Sequence, residues 1–269
     1  MAEPILEIIT PNYNYAKYLK DCLKSTNGFS PKIILHTVID GKSTDESHIL
    51  LKQSLHEKDN LKWIQKFERN QADALNIAFS ESESEWIGWL NSDEYYSEGT
   101  LDIILGLIKK QKRYDVIIGD AIFCDAEKNF IRVKSIHRYN RIVLESYGAY
   151  ISTCSFFVRR EFLNSLGPNY LDPKLRISLD WDFFLRLFSK SPKVCVLKKN
   201  LGVFRVHSDA ITQNIDTLMK ESEFKYIVEK NNIRKNYFLG VVIHRILKLI
   251  NGGYFREIFR YIKVGKPSI

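Results

Sequence analysis

In the first ninety residues of this chain, short β-branched and aromatic runs take turns with segments of helical spacing. Residues 6–10, 32–40, 61–67 and 85–90 read as strands. Between them, residues 15–26 place Tyr18, Leu19, Cys22 and Leu23 on one helical face. Residues 43–46 suit a cap for a second helix through Leu50 and Leu51, and residues 71–81 read as a third. This βαβαβαβ order predicts an α/β fold with a mostly parallel, doubly wound sheet and helices on both faces. Ligands of such sheets sit beyond the carboxyl ends of the strands. Three strand ends here carry polar residues to one rim: residues 10–14, Asp40 with Gly41, and residues 91–94.

The second half reads as mixed. Residues 115–123 and 130–134 resemble a strand pair around a turn at 125–129. Further short strands are expected at 155–159, 194–196 and 202–206, and a helix over 179–189 with Trp181, Phe184, Leu185 and Phe188 inward. From about residue 216 the pattern is helical, broken at Asn251-Gly252-Gly253.

Composition narrows the class. A chain of 269 residues buries roughly 70–75% of its unfolded surface, so it needs no covalent staples. The cysteines Cys22, Cys124, Cys154 and Cys195 are far apart and form no CxxC pair, which argues for small buried hydrophobes in a reducing compartment. The first residues show no secretory signature, and no run reaches the roughly 18 apolar residues of a membrane span. A cytoplasmic protein is therefore expected. The net charge of +8 is concentrated at one end: from Arg234 onward there are eight basic residues against Glu257 alone. That segment calls for a local anionic partner. No zinc-finger, helix-turn-helix or RNA-binding signature accompanies it, so nucleic acid is not the expected partner.

The chemistry concentrates at Trp86-Ile87-Gly88-Trp89-Leu90-Asn91-Ser92-Asp93-Glu94, an apolar strand ending in carboxylate and amide oxygens. Hard divalent cations take oxygen ligands, and Mg2+ or Mn2+ commonly joins one or two carboxylates to substrate phosphates. A solvated turn after a strand is the alternative for the acidic pair alone.

Taken together, six segments resemble family 2 glycosyltransferases of the GT-A fold. Ile8-Ile9-Thr10-Pro11-Asn12-Tyr13-Asn14 resembles that family's first strand and nucleotide loop. Val38-Ile39-Asp40-Gly41-Lys42-Ser43-Thr44-Asp45 resembles its D-G-x-S-x-D segment, and Gln71-Ala72-Asp73-Ala74-Leu75-Asn76 its next helix. Asn91-Ser92-Asp93-Glu94 falls where the family carries a DXD-type metal motif, with Asn91 in place of its first acid. Leu179-Asp180-Trp181-Asp182-Phe183-Phe184-Leu185-Arg186-Leu187 resembles its acidic helix start, with Leu179 where an acid or glutamine is usual. Arg205-Val206-His207 resembles its late R-x-H element.

The resemblance implies an inverting transferase that moves a sugar from a nucleotide-diphosphate sugar, UDP-linked by analogy, to a glycan or lipid-linked glycan acceptor in cell-surface polysaccharide or lipopolysaccharide synthesis. It implies a catalytic domain over residues 1–215, with a nucleotide-binding half at 1–110 and an acceptor-binding half at 111–215, and a basic helical extension at 216–269. Thr10, Pro11 and Tyr13 would hold the base and ribose, Tyr13 by stacking or else by packing in the core. Asp40 would accept from the base, or serve as a turn residue. Gln71, Asp73, Asn91 and Ser92 would line the ribose and diphosphate, Asp73 alternatively being a first-turn helix charge. Asp93, helped by His207, would hold the Mn2+ or Mg2+, His207 alternatively being structural.

The resemblance makes Asp180 the catalytic base, opposite the leaving group. Asp182, about 200° further around the helix, is the second choice. Trp181 and Asp182 would border the acceptor unless they belong to the core. The tail alternates Val241, Ile246, Leu249 and Ile250 with Arg245 and Lys248, then Tyr254, Phe255, Ile258, Phe259 and Ile262 with Arg256, Arg260 and Lys263. That pattern suits either an anionic membrane surface or packing on the catalytic domain. Two other classes remain open: a non-catalytic nucleotide-sugar-binding protein of the same fold and a metal-dependent nucleotidyltransferase. Neither GxxxxGK[ST] nor GxGxxG occurs to favour the latter.

Overall fold

A computed structural model describes residues 3–66, 70–110, 113–211, 214 and 216–264. Phe67, the expected end of the third strand, and Lys266 of the basic tail lie outside the described residues. The alternation folds as β1 (Leu6–Asn12), α1 (Ala16–Ser25), β2 (Ile34–Asp40), α2 (Ser47–Glu57), β3 (Leu61–Gln65), α3 (Gln71–Glu81) and β4 (Trp86–Trp89). These strands pair in parallel in the order β3-β2-β1-β4. β1 is buried throughout and β2 nearly so, because helices cover both faces of a parallel sheet. In the β1–β2 register Asn12 stands opposite Asp40, which aligns the two loops that follow.

Beyond β4 the sheet becomes mixed. The next elements are β5 (Tyr95–Tyr96), α4 (Thr100–Lys109), β6 (Val116–Cys124), β7 (Phe130–Lys134), α5 (Arg141–Ser146), β8 (Phe156–Arg159), α6 (Arg160–Asn164), α7 (Leu179–Ser189) and β9 (Val194–Arg205). β8 lies antiparallel between β4 and β6, β7 pairs antiparallel with β6, and β9 runs parallel to β6 and antiparallel to β5. The two strands expected at 194–196 and 202–206 are one. Register shifts beside Asp120 carry the ladder past exposed Lys198 and Lys199.

Three further helices follow: α8 (Thr217–Lys230), α9 (Tyr237–Ile250) and α10 (Gly253–Val264). α9 approaches α5 at Gly240, where a Cβ would stand 2.7 Å from the Ser146 Cβ and 2.8 Å from the Tyr147 nitrogen. Only glycine permits that contact. The main core joins β1, β4 and β8 to α3 and α7, with the Trp89 and Phe183 rings 5.8 Å apart in T-shaped contact. Among the described residues no helix is long and apolar enough to cross a membrane.

Candidate active site

The loops after β1 and β2 interlock at the rim. The Ser43 hydroxyl accepts from the Asn14 backbone at 2.9 Å, and the Asn14 side chain accepts from the Thr44 backbone at 2.7 Å. The Asp45 carboxylate accepts from the backbone N–H groups of Ala16 and Ser47, so it caps α1 and the start of α2 together. Above this scaffold the Tyr13 ring is 59% exposed. Gly41 lies beneath it, where a Cβ would press on the ring at 3.3 Å.

Two residues expected to contact the ligand are bonded within the protein. Thr10 is fully buried, and its hydroxyl is bonded to His36 Nε2 at 2.9 Å. Burial lowers the His36 pKa to about 3, so this pair is a neutral core contact inside the sheet. Asp40 is also fully buried, accepting from Asn12 Nδ2 at 2.9 Å and from the Ser43 backbone and hydroxyl. Its oxygens hold the loop in shape. Pro11 is buried in β1 opposite Ile39.

The loop after β4 meets the segment after β9. His207 Nε2 lies 3.1 Å from Asp93 Oδ2, although the two are 114 positions apart. Arg205 fixes this approach. It donates to the Asp93 carbonyl at 3.2 Å and pairs with Asp21 at 2.7 Å. Tyr18 packs on the His207 ring at 4.3 Å and donates to Asp209 Oδ2 at 3.0 Å, which locks the 205–209 segment against α1. His207 Nδ1 is buried without a hydrogen-bond partner among the described residues, and its nearest acid, Asp209, is 3.9 Å away.

Beneath Asp93 is a polar floor. Asn91 Oδ1 accepts from Gln71 Nε2 at 2.8 Å and from the Trp89 indole at 2.9 Å. Glu94 is buried and accepts from the Thr153 hydroxyl at 3.1 Å and the Asn91 backbone at 3.1 Å. Burial, then the neighbouring Asp93 charge, raises the Glu94 carboxyl well above the usual range. The 153–155 turn that supplies Thr153 packs on β9 at Gly202, where a Cβ would fall 2.1 Å from the Cys154 carbonyl oxygen. Gln71 and Asn91 thus bond each other, and Ser92 is buried. Of the four residues 91–94, Asp93 is the acid left at the opening, with a side chain 20% exposed.

The first turn of α7 separates its two acids. Asp180 is half-buried, with Oδ1 accepting from the Trp181 backbone at 2.8 Å. Desolvation raises its pKa, opposed by the Lys134 ammonium. Asp180 also contributes, as the smallest of the causes, to the field that raises Glu94, so the start of α7 lies near the loop after β4. Trp181 and Asp182 point elsewhere, which corrects their expected place beside the acceptor. The Trp181 indole donates to the Leu144 carbonyl at 2.7 Å and stacks on Phe224. Asp182 is fully buried between Arg186 at 2.9 Å, Lys230 at 3.0 Å and Asn231 at 3.0 Å. Removing one member of such a cluster strands the others, so Asp182→Ala should lower stability by about 3–5 kcal/mol in denaturant titrations. A loss below about 1 kcal/mol would show that Asp182 is not a structural anchor.

Several contributors are not apparent from sequence alone. Glu223 of α8 is buried and receives the backbone N–H groups of Arg176, Ile177 and Ser178, which sets the approach to Asp180. Thr153, Lys134, Tyr18 and Asp21 belong to no local motif and meet the site only through long-range packing. Asp73 is half-buried in the first turn of α3, its backbone N–H capped by Asn70 at 3.0 Å. Among the described residues no group of three or more His, Cys, Asp or Glu converges as a ready-made metal cage.

Comparison with known proteins agrees with this architecture. An uncharacterised glycosyltransferase of Rickettsia conorii is 24% identical over 195 residues, 70% of this chain and 32% of its own length. A second, from Rickettsia prowazekii, matches over 60% of its length. The chain thus spans a third to three fifths of these relatives. A PGL/p-HBAD biosynthesis glycosyltransferase of Mycobacterium tuberculosis is 28% identical over 193 residues, 70% of this chain and 72% of that protein. Among solved structures, residues 1–349 of S. aureus TarS with UDP-GlcNAc superpose with a TM-score of 0.66 at 18% identity, covering 87% of this chain and 69% of that one. The mannosyltransferase PcManGT of Pyrobaculum calidifontis, in complex with GDP-Man and Mn2+, superposes with a TM-score of 0.54 at 16% identity over 75% of this chain and 57% of that one. The family model for glycosyl transferase family 2 matches residues 7–167, and the chain belongs to that family, on the GT-A fold.

Proposed function

We propose that this protein is an inverting glycosyltransferase that moves a sugar from a UDP-linked donor to the hydroxyl of a glycan or lipid-linked glycan, in the synthesis of a cell-surface polysaccharide or lipopolysaccharide. The observation that carries this reading is the meeting of Asp93 and His207, from segments 114 positions apart, beyond the end of β4. Family membership and the UDP-GlcNAc bound by TarS support the donor class.

Tyr13 covers the base with its exposed ring, and Asp73 serves the ribose side. Asp93 and His207 would hold Mn2+ or Mg2+ beside the donor diphosphate. The donor set fits that role: one carboxylate and one imidazole leave coordination places for phosphate oxygens and water. The bound cation would neutralise the charge that develops on the departing diphosphate. Asp180 takes the proton from the attacking hydroxyl, and its partial desolvation makes it a stronger base than a solvated aspartate. Glu94 supports the Asp93 loop from its buried pocket through the Asn91 backbone and the Thr153 hydroxyl.

Because the protein alone offers two cation ligands, Mn2+ should bind weakly by itself and far more tightly with UDP present. Calorimetric titration of a panel of UDP-, GDP- and dTDP-sugars, with and without Mn2+, tests this together with the donor. One UDP-sugar is expected to bind in a Mn2+-dependent way and to be hydrolysed slowly without acceptor. Tight binding without hydrolysis would favour a binding-only protein, and no binding by any donor would end the transferase reading.

A further inference from the structure

α10 is an amphipathic helix set into the fold with its charged side inward. At about 100° per residue, Arg256, Glu257 and Arg260 fall on one side and Phe255, Ile258, Phe259 and Ile262 on the other. The domain consumes the charged side. Asp120, fully buried in β6, receives Arg256 at 3.0 Å and Arg260 at 2.7 Å. Glu257 pairs with Lys248 at 2.8 Å and accepts from the Ser135 backbone at 2.8 Å.

The apolar side is left to solvent. Phe255 is 73% exposed, Ile258 61%, Phe259 58% and Ile262 71%. Across the two-residue turn, Leu249 and Ile250 at the end of α9 are 68% and 74% exposed. A surface helix of a water-soluble domain ordinarily has the reverse arrangement, and a contiguous apolar patch of this kind marks an interaction surface. α10 cannot roll over to hide its phenylalanines, because that would strand the buried Asp120 carboxylate.

We infer that this outward face of α9 and α10 seats the protein on an anionic lipid bilayer, with α10 lying in the plane of the interface. Charge selects the occupant. Arg245 is exposed one helical turn before Leu249 on α9, Arg234 and Lys235 are exposed just before that helix, and the one acid of the stretch, Glu257, is already paired. A second copy docked face to face would bring like charge to both sides of the interface with no free acid from this stretch to pair it, whereas anionic headgroups complement it. The inference stands apart from the transferase reading, since none of these residues belongs to the site.

Sedimentation of the full chain with vesicles of phosphatidylglycerol and phosphatidylethanolamine, with phosphatidylcholine vesicles as the neutral arm, tests it. Binding to the anionic vesicles is expected, with weaker binding to the neutral ones. The double variant Phe255→Ser/Phe259→Ser should bind the anionic vesicles at least about tenfold more weakly. Its thermal transition should be unchanged, because both rings are exposed. Failure of the native chain to sediment with anionic vesicles, equal binding to neutral ones, or undiminished binding by the double variant would each overturn the inference. So would a native dimer that does not bind vesicles and that the double variant dissociates.

Discussion

Asp180→Asn is expected to lower turnover about a thousandfold while leaving donor and Mn2+ affinity unchanged, the size of effect associated with losing a positioned general base. The substitution keeps the oxygen that accepts from the Trp181 backbone, so the helix start is preserved and the loss is chemical. The pH profile gives an independent check. Desolvation raises the Asp180 pKa above its ordinary 3.8, with Lys134 pulling the other way. Transfer requires the ionised form, so the rate should be full at high pH and fall as pH drops through that raised value. The acid limb should then vanish in Asp180→Asn. A variant with full turnover would remove Asp180 from the mechanism.

The second large effect is expected at Asp93. It is the acid of its loop that stands at the opening, since Asn91 is held by Gln71 and Trp89 and Glu94 is buried under Thr153. Asp93→Ala should therefore erase the Mn2+ dependence of donor binding. The loss should be at least the roughly 100-fold seen when a metal site loses a supporting partner. Because the Arg205 bond goes to the Asp93 backbone carbonyl, the loop has an anchor that the substitution leaves in place. If calorimetry shows the variant binding donor in Mn2+ as tightly as the native chain, the cation is held elsewhere.

Much of the frame is legible from local pattern. The helices at 71–81 and 179–189 have the bounds that spacing predicts, and β1 to β4 follow from the alternation of apolar runs. The split of β9 into two expected strands shows where such reading ends. Lys198 and Lys199 interrupt the apolar run, and only pairing with β6 reveals that the strand continues. Asp180 and Asp182 make the same point from one helix turn. Sequence places them on different sides, but which of the two is tied into the core depends on Lys230 and Asn231 at the end of a helix some fifty residues later.

Residue order alone carries the succession of elements, the rim of strand ends and the kinship with family 2 glycosyltransferases. These depend on periodicity and on residue types at fixed spacing, which a chain carries along its length. Tertiary structure decided which rim groups are free. It satisfied Thr10, Asp40 and Asn91 internally, left Tyr13 and Asp93 open, and turned the charged side of α10 toward Asp120. The physical reason is that a buried polar group must find a partner, and that partner is chosen by packing between segments distant in sequence.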